Sequence, residues 1–233
     1  MATQRISRNR TRPPAGNGPR RRADEAAARR PGRPAGGSGD RTREQVLAAA
    51  VDTFSRLGLA GSSMRDIARK ARIRVSSLYH YFPSKEALYR EIQDRWQAEV
   101  RELVLGVLAQ GLDLRETTRA MVGGLFDYFV ANQSIARLSY RLNLDGESLF
   151  DGAQDNRWLG LAEGFLKPAT LRGLVKEVDP VPFMVTIDGL VHWHVVHGSL
   201  YRSLLGRGLE DPETIHRARE HVIQVALRTL GLD

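Results

Sequence analysis

One stretch decides the fold: "VSSLYHYFPSKEALY", from Val75 to Tyr89. Tyr79, His80, Tyr81 and Phe82 are consecutive, and Pro83-Ser84-Lys85-Glu86 then breaks the aromatic run before a new helical pattern. On a helix Leu78 and Phe82, four apart, share a face and are expected in the core, while Tyr79 and His80 project elsewhere. Ser84 is a helix cap, because its hydroxyl can accept a free first-turn amide, and Glu86 suits the positive end of the helix that follows. The short helix thus carries hydroxyl, aromatic and basic groups outward from an apolar anchor. A core-facing helix that happens to be aromatic is the plainer alternative.

Upstream, "DRTREQVLAAAVDTFSRLG" (40–58) places Leu47, Ala50, Val51, Phe54 and Leu57 at helical spacing. Thr42 with Gln45 has the spacing of a capping box, and Gly58 is placed to end the helix. In "GSSMRDIARKA" (61–71), Ser63 is the expected cap, Asp66 sits three residues on, and Ile67 and Ala68 point inward. Two short helices joined by a tight turn, after a longer one, make a helix-turn-helix of the kind that reads DNA. Downstream, Ser84 opens a long helix over about 85–109. Further helices are expected at 114–131, 134–142, 156–166, 181–205 and 212–230, the last opened by Asp211-Pro212. No stretch alternates with period two, so the fold class is all-α.

The chain has 233 residues, 42% of them hydrophobic, no cysteine and a net charge of +8. Disulfides and thiolate metal sites are excluded. The N-terminus is basic without the apolar run of a signal peptide, and the longest apolar region, 180–205, is interrupted by Asp188, His192, His194, His197 and Arg202. A cytoplasmic protein without a membrane span is expected. The charge is unevenly spread: residues 1–40 hold ten Arg against three acids, residues 41–92 ten basic against five acidic groups, and residues 93–233 fifteen against nineteen. A basic first part joined to a mildly acidic second part points to a polyanion met by the first alone. Residues 1–40, rich in Gly and Pro and without an aromatic, are expected to be a disordered basic arm. Its Gly32-Arg33-Pro34 resembles the core of an AT-hook, a minor-groove arm, with a nonspecific basic tail as the alternative. The expected organisation is that arm, a DNA-binding domain over 41–92 and a helical body over 93–233.

Residues 43–92 resemble the N-terminal domain of the TetR family of bacterial transcription regulators. The resemblance is carried without gaps by Ser62-Ser63, Ile67-Ala68, Ala71, Ile73, Ser77-Leu78-Tyr79, Tyr81-Phe82, Ser84-Lys85-Glu86 and Leu88. It implies that Val75, Ser76, Ser77, Tyr79 and His80 meet the major groove or its phosphates, that Lys85 clamps a phosphate, and that Arg65 makes another contact. Ser63 joins this set at the start of the second helix. Two positions depart from the family pattern: Arg72 replaces the turn Gly, and Arg74 replaces the Ser that caps the recognition helix. Arg72 implies a small strain or an altered turn, and Arg74 cannot accept amide hydrogen bonds as a cap. Both add positive charge to the DNA face and are expected to reach phosphates, Arg74 also as a guanine reader; two solvated surface arginines are the alternative.

The resemblance further implies a homodimer and a small-molecule effector bound by the C-terminal helices. Ile187, Val191, Val195, Ile215, Val222 and Ala226 are candidate seam residues. Met121, Phe126, Phe129, Tyr140, Trp158, Phe165, Trp193 and His197 are candidate pocket residues, although aromatics at helical spacing are as readily core. His192, His194 and His197 cannot share one helix face, since successive residues turn by about 100°. No metal and no cofactor are expected, while Asp188 and His192 are spaced to pair. No nucleotide loop, nucleophile elbow or zinc-protease pair is present, so an enzyme is not expected. The function implied is a ligand-responsive dimeric DNA-binding regulator, a repressor of an inverted-repeat operator; the alternative is an architectural protein that coats DNA through the arm.

Overall fold

The computed structural model describes residues 37–145 and 152–232, with side chains over 39–141 and 160–232. The arm up to residue 36, with Gly32-Arg33-Pro34, and the side chain of Trp158 lie outside the described residues. Among those described there are ten helices and no strand: α1 Gly37–Leu57, α2 Met64–Lys70, α3 Val75–Tyr81, α4 Lys85–Leu108, α5 Leu114–Ala131, α6 Gln133–Asp145, α7 Gly152–Leu171, α8 Pro180–Val196, α9 Gly198–Leu205 and α10 Pro212–Leu230. The all-α expectation holds. No helix among the described residues is long and apolar enough to cross a membrane.

Local chemistry accounts for most helix ends. Ser63, Ser84, Asp113, Asp179 and Asp211 each accept a first-turn amide with the side chain. Gly58, Gly206 and Gly231 take positive φ where α1, α9 and α10 stop, a conformation that glycine adopts without a Cβ clash. Three boundaries differ from the sequence reading. α1 starts at Gly37, ahead of Thr42, so the capping-box spacing does not mark its start. Arg43 and Glu44 then join α1 to α4, through Arg43–Glu91 at 2.7 Å and a two-pronged Glu44–Arg95 pair at 2.7 and 2.8 Å. α7 continues through Pro168 to Leu171; the proline has no N–H to give the carbonyl of Gly164, which lies on an exposed turn where water can serve it. The expected single helix over 181–205 is two, broken at His197 (φ −97°, ψ 28°). Gly198 follows the break, and a Cβ there would lie 3.1 Å from Leu209.

One hydrophobic cluster runs from α1, α2 and α3 through α4, α5 and α6 into α8 and α10. Val46, Ala50, Phe54, Ile67 and Leu78 are fully buried at its helix-turn-helix end, and Phe126, Val222, Ile223 and Leu227 at the other. α5 packs most extensively on α10, and α1 on α6. A smaller cluster gathers Leu166, Ala169, Val175 and Leu230. The recognition-helix anchors behave as their spacing predicts: Leu78 and Phe82 are buried, and Arg43 stacks over the Phe82 ring at 5.3 Å.

A polar group lies inside this body. His192 on α8 is buried, its Nε2 2.8 Å from Ser139 Oγ on α6 and its Nδ1 3.0 Å from the Asp188 carbonyl and 3.1 Å from the Asp188 carboxylate. Ser139 donates its own proton to the Ala136 carbonyl at 3.0 Å, so both ring nitrogens face acceptors and the doubly protonated ring fits best. Burial pulls the His192 pKa down, but hydrogen bonding to Asp188 and its charge outweigh that, and the net shift is upward. His194 goes the other way: burial and the nearby His221 lower its pKa. Its Nδ1 meets Tyr201 Oη at 2.5 Å, and its buried Nε2 has no partner among the described residues.

The two shifts have opposite consequences for stability. His192, raised, contributes most below the unfolded value of about 6.5 and loses that contribution as pH rises through its folded pKa. His194, depressed, contributes above that value and loses its contribution as pH falls through its folded pKa. Replacing His192 by Asn is therefore expected to destabilise the protein more in mild acid than in mild alkali, and His194→Asn to do the reverse. Denaturant unfolding of both variants on either side of neutrality checks the sign; equal effects at both pH values contradict it.

Candidate nucleic-acid interface

α3 has seven residues, too few to hold a helix by itself in water. Leu78 and Phe82 hold it against the rest, which fixes the outward face. Ser76, Tyr79 and His80 are exposed, Tyr79 by 51%, while Val75 and Ser77 are half-buried at the edge of the helix. Arg74 stands at the cap position and makes no side-chain cap hydrogen bond, as its chemistry requires. Arg72, in the turn, has φ +55°, the one positive φ outside glycine among the described residues. A non-glycine residue in this left-handed region costs of the order of 1–2 kcal/mol, so the turn keeps its usual shape at the expense of strain.

Cations around the motif fall into two groups. Several are tied: Arg69 to Asp66 at 2.5 Å, Lys70 to Asp52, Arg43 to Glu91 and Arg95 to Glu44. By contrast, Arg65, Arg72 and Arg74 are exposed, and no ion pair or hydrogen bond links their guanidinium groups to a described residue. These three lie at the start of α2, in the turn and at the cap of α3. Together with Tyr79 and His80 they form a positively charged, hydroxyl-bearing surface on one end of the molecule.

Two of the sequence candidates have duties inside the fold. Ser63 accepts the Asp66 amide at 3.2 Å and donates to its carboxylate at 2.5 Å, so its hydroxyl is spent on capping α2. Lys85 donates from Nζ to the carbonyls of Leu59 at 2.9 Å and Ser62 at 3.3 Å, in the corner between α1 and α2. Nothing in its position just after a capping Ser signals this, because the partners are backbone atoms some two dozen residues away.

The pocket candidates do not converge on one cavity. Phe126 and Phe129 are buried core, and Phe129 lies between Trp96 (6.4 Å) and His192 (4.4 Å). Tyr140 and Trp193 flank His197, at 6.0 and 3.8 Å, in a separate and more exposed group. Phe165 packs on the smaller cluster, and Met121 is half-buried on α5. An open cleft of about 400 Å³ between α1 and the α5–α6 corner, lined by Val51, Val130, Asn132, Ile135 and Arg137, contains none of them. Sequence reasoning passed over Trp96, whose buried indole N–H finds no acceptor among the described residues. Its helical spacing looked like ordinary core.

Five of the six seam candidates, Ile187, Val191, Val195, Val222 and Ala226, are buried in the chain's own core, and Ile215 is half-buried. A side chain already covered has no surface left for a partner. The exposed apolar side chains of the same region lie on the opposite side of α8 and on α9: Val181, Val185, Trp193, Leu200, Leu204 and Leu205, with Val185 at 67% and Leu204 at 72%. α9 buries none of its residues. The periodicity had identified an apolar face of α8, but this face belongs to the monomer.

The sequence model described as "Bacterial regulatory proteins, tetR family" matches residues 46–92, the helices α1–α4 around this surface. The chain is 30% identical over 203 residues to the transcriptional repressor KstR2 of Rhodococcus jostii, covering 76% of this chain and 94% of that one. It is 29% identical over 197 residues to the transcriptional repressor NicS of Pseudomonas putida, covering 82% and 93%. A solved structure of a TetR-like transcriptional regulator from Rhodococcus sp. RHA1 superposes with a TM-score of 0.62 at 23% identity, over 80% of this chain and 94% of that one. A helix-turn-helix with untied cations at one end, and similarity extending through the helical body, make this chain a member of the TetR family: a DNA-binding transcription regulator and not an enzyme.

Proposed function

We propose that the protein acts in the cytoplasm as a homodimer that represses transcription from an inverted-repeat operator and releases it when a small molecule binds the helical body. The observation that carries the DNA reading is the division of the cations, with Arg65, Arg72 and Arg74 untied beside the exposed face of α3. In this reading those arginines and Tyr79 meet phosphates, which fix register, while Val75, Ser76, Ser77 and His80 face base edges. Arg74, at the N-terminal end of the recognition helix, is also placed to read guanine. Ser63 contributes by capping α2. Repression is supported by the two repressors to which the chain is similar along most of its length.

A dimer is required geometrically, since two recognition helices must enter major grooves about 34 Å apart. The exposed apolar side chains of α8 and α9 are the surface that a second copy would cover, since they lie on both sides of the His197 break. The effector reading rests on the interior around Phe129, where Trp96 offers an unused donor and His192 links α8 to α6. Displacement of His192 would be felt along α6, which packs on α1.

Selection of genomic fragments by the purified protein at near-physiological salt tests the function. Enrichment of an inverted repeat with half-sites one helical turn or so apart is expected; broad recovery of AT-rich DNA without a repeat would favour the architectural alternative and contradict the operator reading. Leu204→Glu should yield a folded monomer with weakened operator binding; an intact dimer would move the seam elsewhere. Arg72→Gly should stabilise the fold by roughly 0.5–1 kcal/mol, because the left-handed strain is relieved, and at the same time weaken operator binding. A variant that binds as well as the original would show that the strained arginine is not a contact.

A further inference from the structure

α1 begins beside the recognition helix. Its first residue is Gly37, and a Cβ on Gly39, in the first turn, would lie 3.9 Å from Tyr81 Oη. Tyr81 is the last residue of α3 and follows His80, which is exposed like Tyr79. Asp40 and Arg41, next along α1, are exposed as well. The chain that precedes Gly37 therefore joins the folded part at the edge of the surface assigned to DNA.

The sequence before that junction has a chemistry of its own. Residues 26–39 contain Arg29, Arg30 and Arg33 and no acidic residue, so no carboxylate of the segment competes for their charge. Arg30 and Arg33 each precede a proline, which disfavours helical backbone and favours an extended one. Gly32 carries no Cβ, so the backbone there can approach a surface closely. An extended cationic segment with only Pro31 and Gly32 between its arginines suits a narrow groove. The minor groove of DNA is about 6 Å wide, and A·T differs from G·C there by the absence of the guanine amino group. In A·T tracts the groove narrows further and draws arginine through its stronger negative potential. The major groove instead admits a helix or a two-stranded ribbon.

Chain length decides which groove is in range. An extended chain spans at most about 3.6 Å per residue, so Arg33, four residues before Gly37, reaches about 14 Å and Arg30, seven before it, about 25 Å. The minor groove beside an occupied major groove is centred roughly 17 Å along the axis, half of the 34 Å helical turn. That distance falls between the two reaches.

We propose that Arg30 and Arg33, with Gly32 between them, enter the minor groove flanking each half-site and add a preference for A·T pairs that the recognition helix does not read. This rests on the operator reading. It gives Gly32-Arg33-Pro34 a place in the same complex as α3, with α3 in the major groove and the basic segment on the adjoining flank.

The test uses the full-length protein and an operator fragment recovered by genomic selection, with the flanks outside the repeat made A·T, G·C or inosine·cytosine. Inosine lacks the guanine amino group, so its pair with cytosine presents an A·T-like minor groove and a G·C-like major groove. The original protein should bind the A·T and inosine·cytosine flanks alike and the G·C flank on the order of tenfold more weakly, the scale of one unfavourable base pair. Arg33→Ala should bind all three flanks alike, near the lower affinity. Equal affinity of the original protein for all three flanks overturns the proposal, as does a flank preference that survives in Arg33→Ala. An inosine·cytosine flank bound as weakly as G·C also overturns it, because the contact would then be in the major groove. So does a loss in Arg33→Ala that is equal on every flank, with the slope of log K against log salt lower by about 0.9, the mark of a nonspecific phosphate contact. Tyr79→Ala separates the two levels of the account. If it weakens binding on every flank while the original protein ignores the flanks, the minor-groove contact alone fails; if it has no effect, the operator reading fails and this proposal with it.

Discussion

Everything at the DNA-facing end depends on the burial of Leu78 and Phe82. A seven-residue helix with an arginine at its cap has almost no reason to form by itself: nucleation is unfavourable and the capping hydrogen bond is absent. What stabilises it is the insertion of two apolar side chains into the cluster shared by α1, α2 and α4. Burial of that size is worth about 1.5–3 kcal/mol per side chain, more than the missing cap costs at about 1 kcal/mol. The anchor therefore leaves the cap position free to carry charge. Arg74 is tolerable there because Leu78 lies one turn below it.

The same balance explains Arg72. A left-handed arginine is strained, and the strain persists because the flanking helices are held by their own contacts: Ile67 and Ala68 on one side, Leu78 on the other, all essentially inaccessible. Surroundings that over-determine the turn can hold an unfavourable residue in it. The tied cations make the complementary point. Arg43, Lys70 and Arg95 are engaged with carboxylates that brace α1 against α2 and α4. Charge in this part of the chain is thus divided between assembly and outward display, a division that the net balance of residues 41–92 does not reveal.

The fold was largely legible in the sequence because its signals are local. Ser63, Ser84 and Asp211 cap the helices their spacing announced, Gly58 ends α1, and the pair Leu78/Phe82 faces inward. The failures are non-local. Thr42 has the capping-box spacing, yet α1 already runs from Gly37. The helix over 181–205 looked continuous because no proline marks the break at His197, where Gly198 lies close to Leu209, a residue outside that stretch. Val191 and Val222 looked like a dimer seam because periodicity finds an apolar face without saying whether it is covered by the same chain or another. The pocket candidates scattered for the same reason, and the donor that does stand unsatisfied, Trp96, was indistinguishable from core by spacing alone. The bonds from Lys85 to the carbonyls of Leu59 and Ser62 are hidden for the same reason, since those partners are distant in sequence.

Taken together, α3 is an anchored display surface, and the corner between α1 and α2 is held by Lys85 from α4 and by Arg141 from α6. The body that would sense an effector has its buried polar link, Ser139 to His192, on that same α6. The most direct test of this arrangement is an amide-resolved NMR comparison of the protein free and bound to a selected DNA fragment. The account predicts the largest changes across residues 72–80 and at Arg65, smaller changes at the α1–α2 corner, and little on the outer face of α8 and α9. Large changes on α8–α9 with residues 72–80 unmoved would contradict it and place the DNA elsewhere on the molecule.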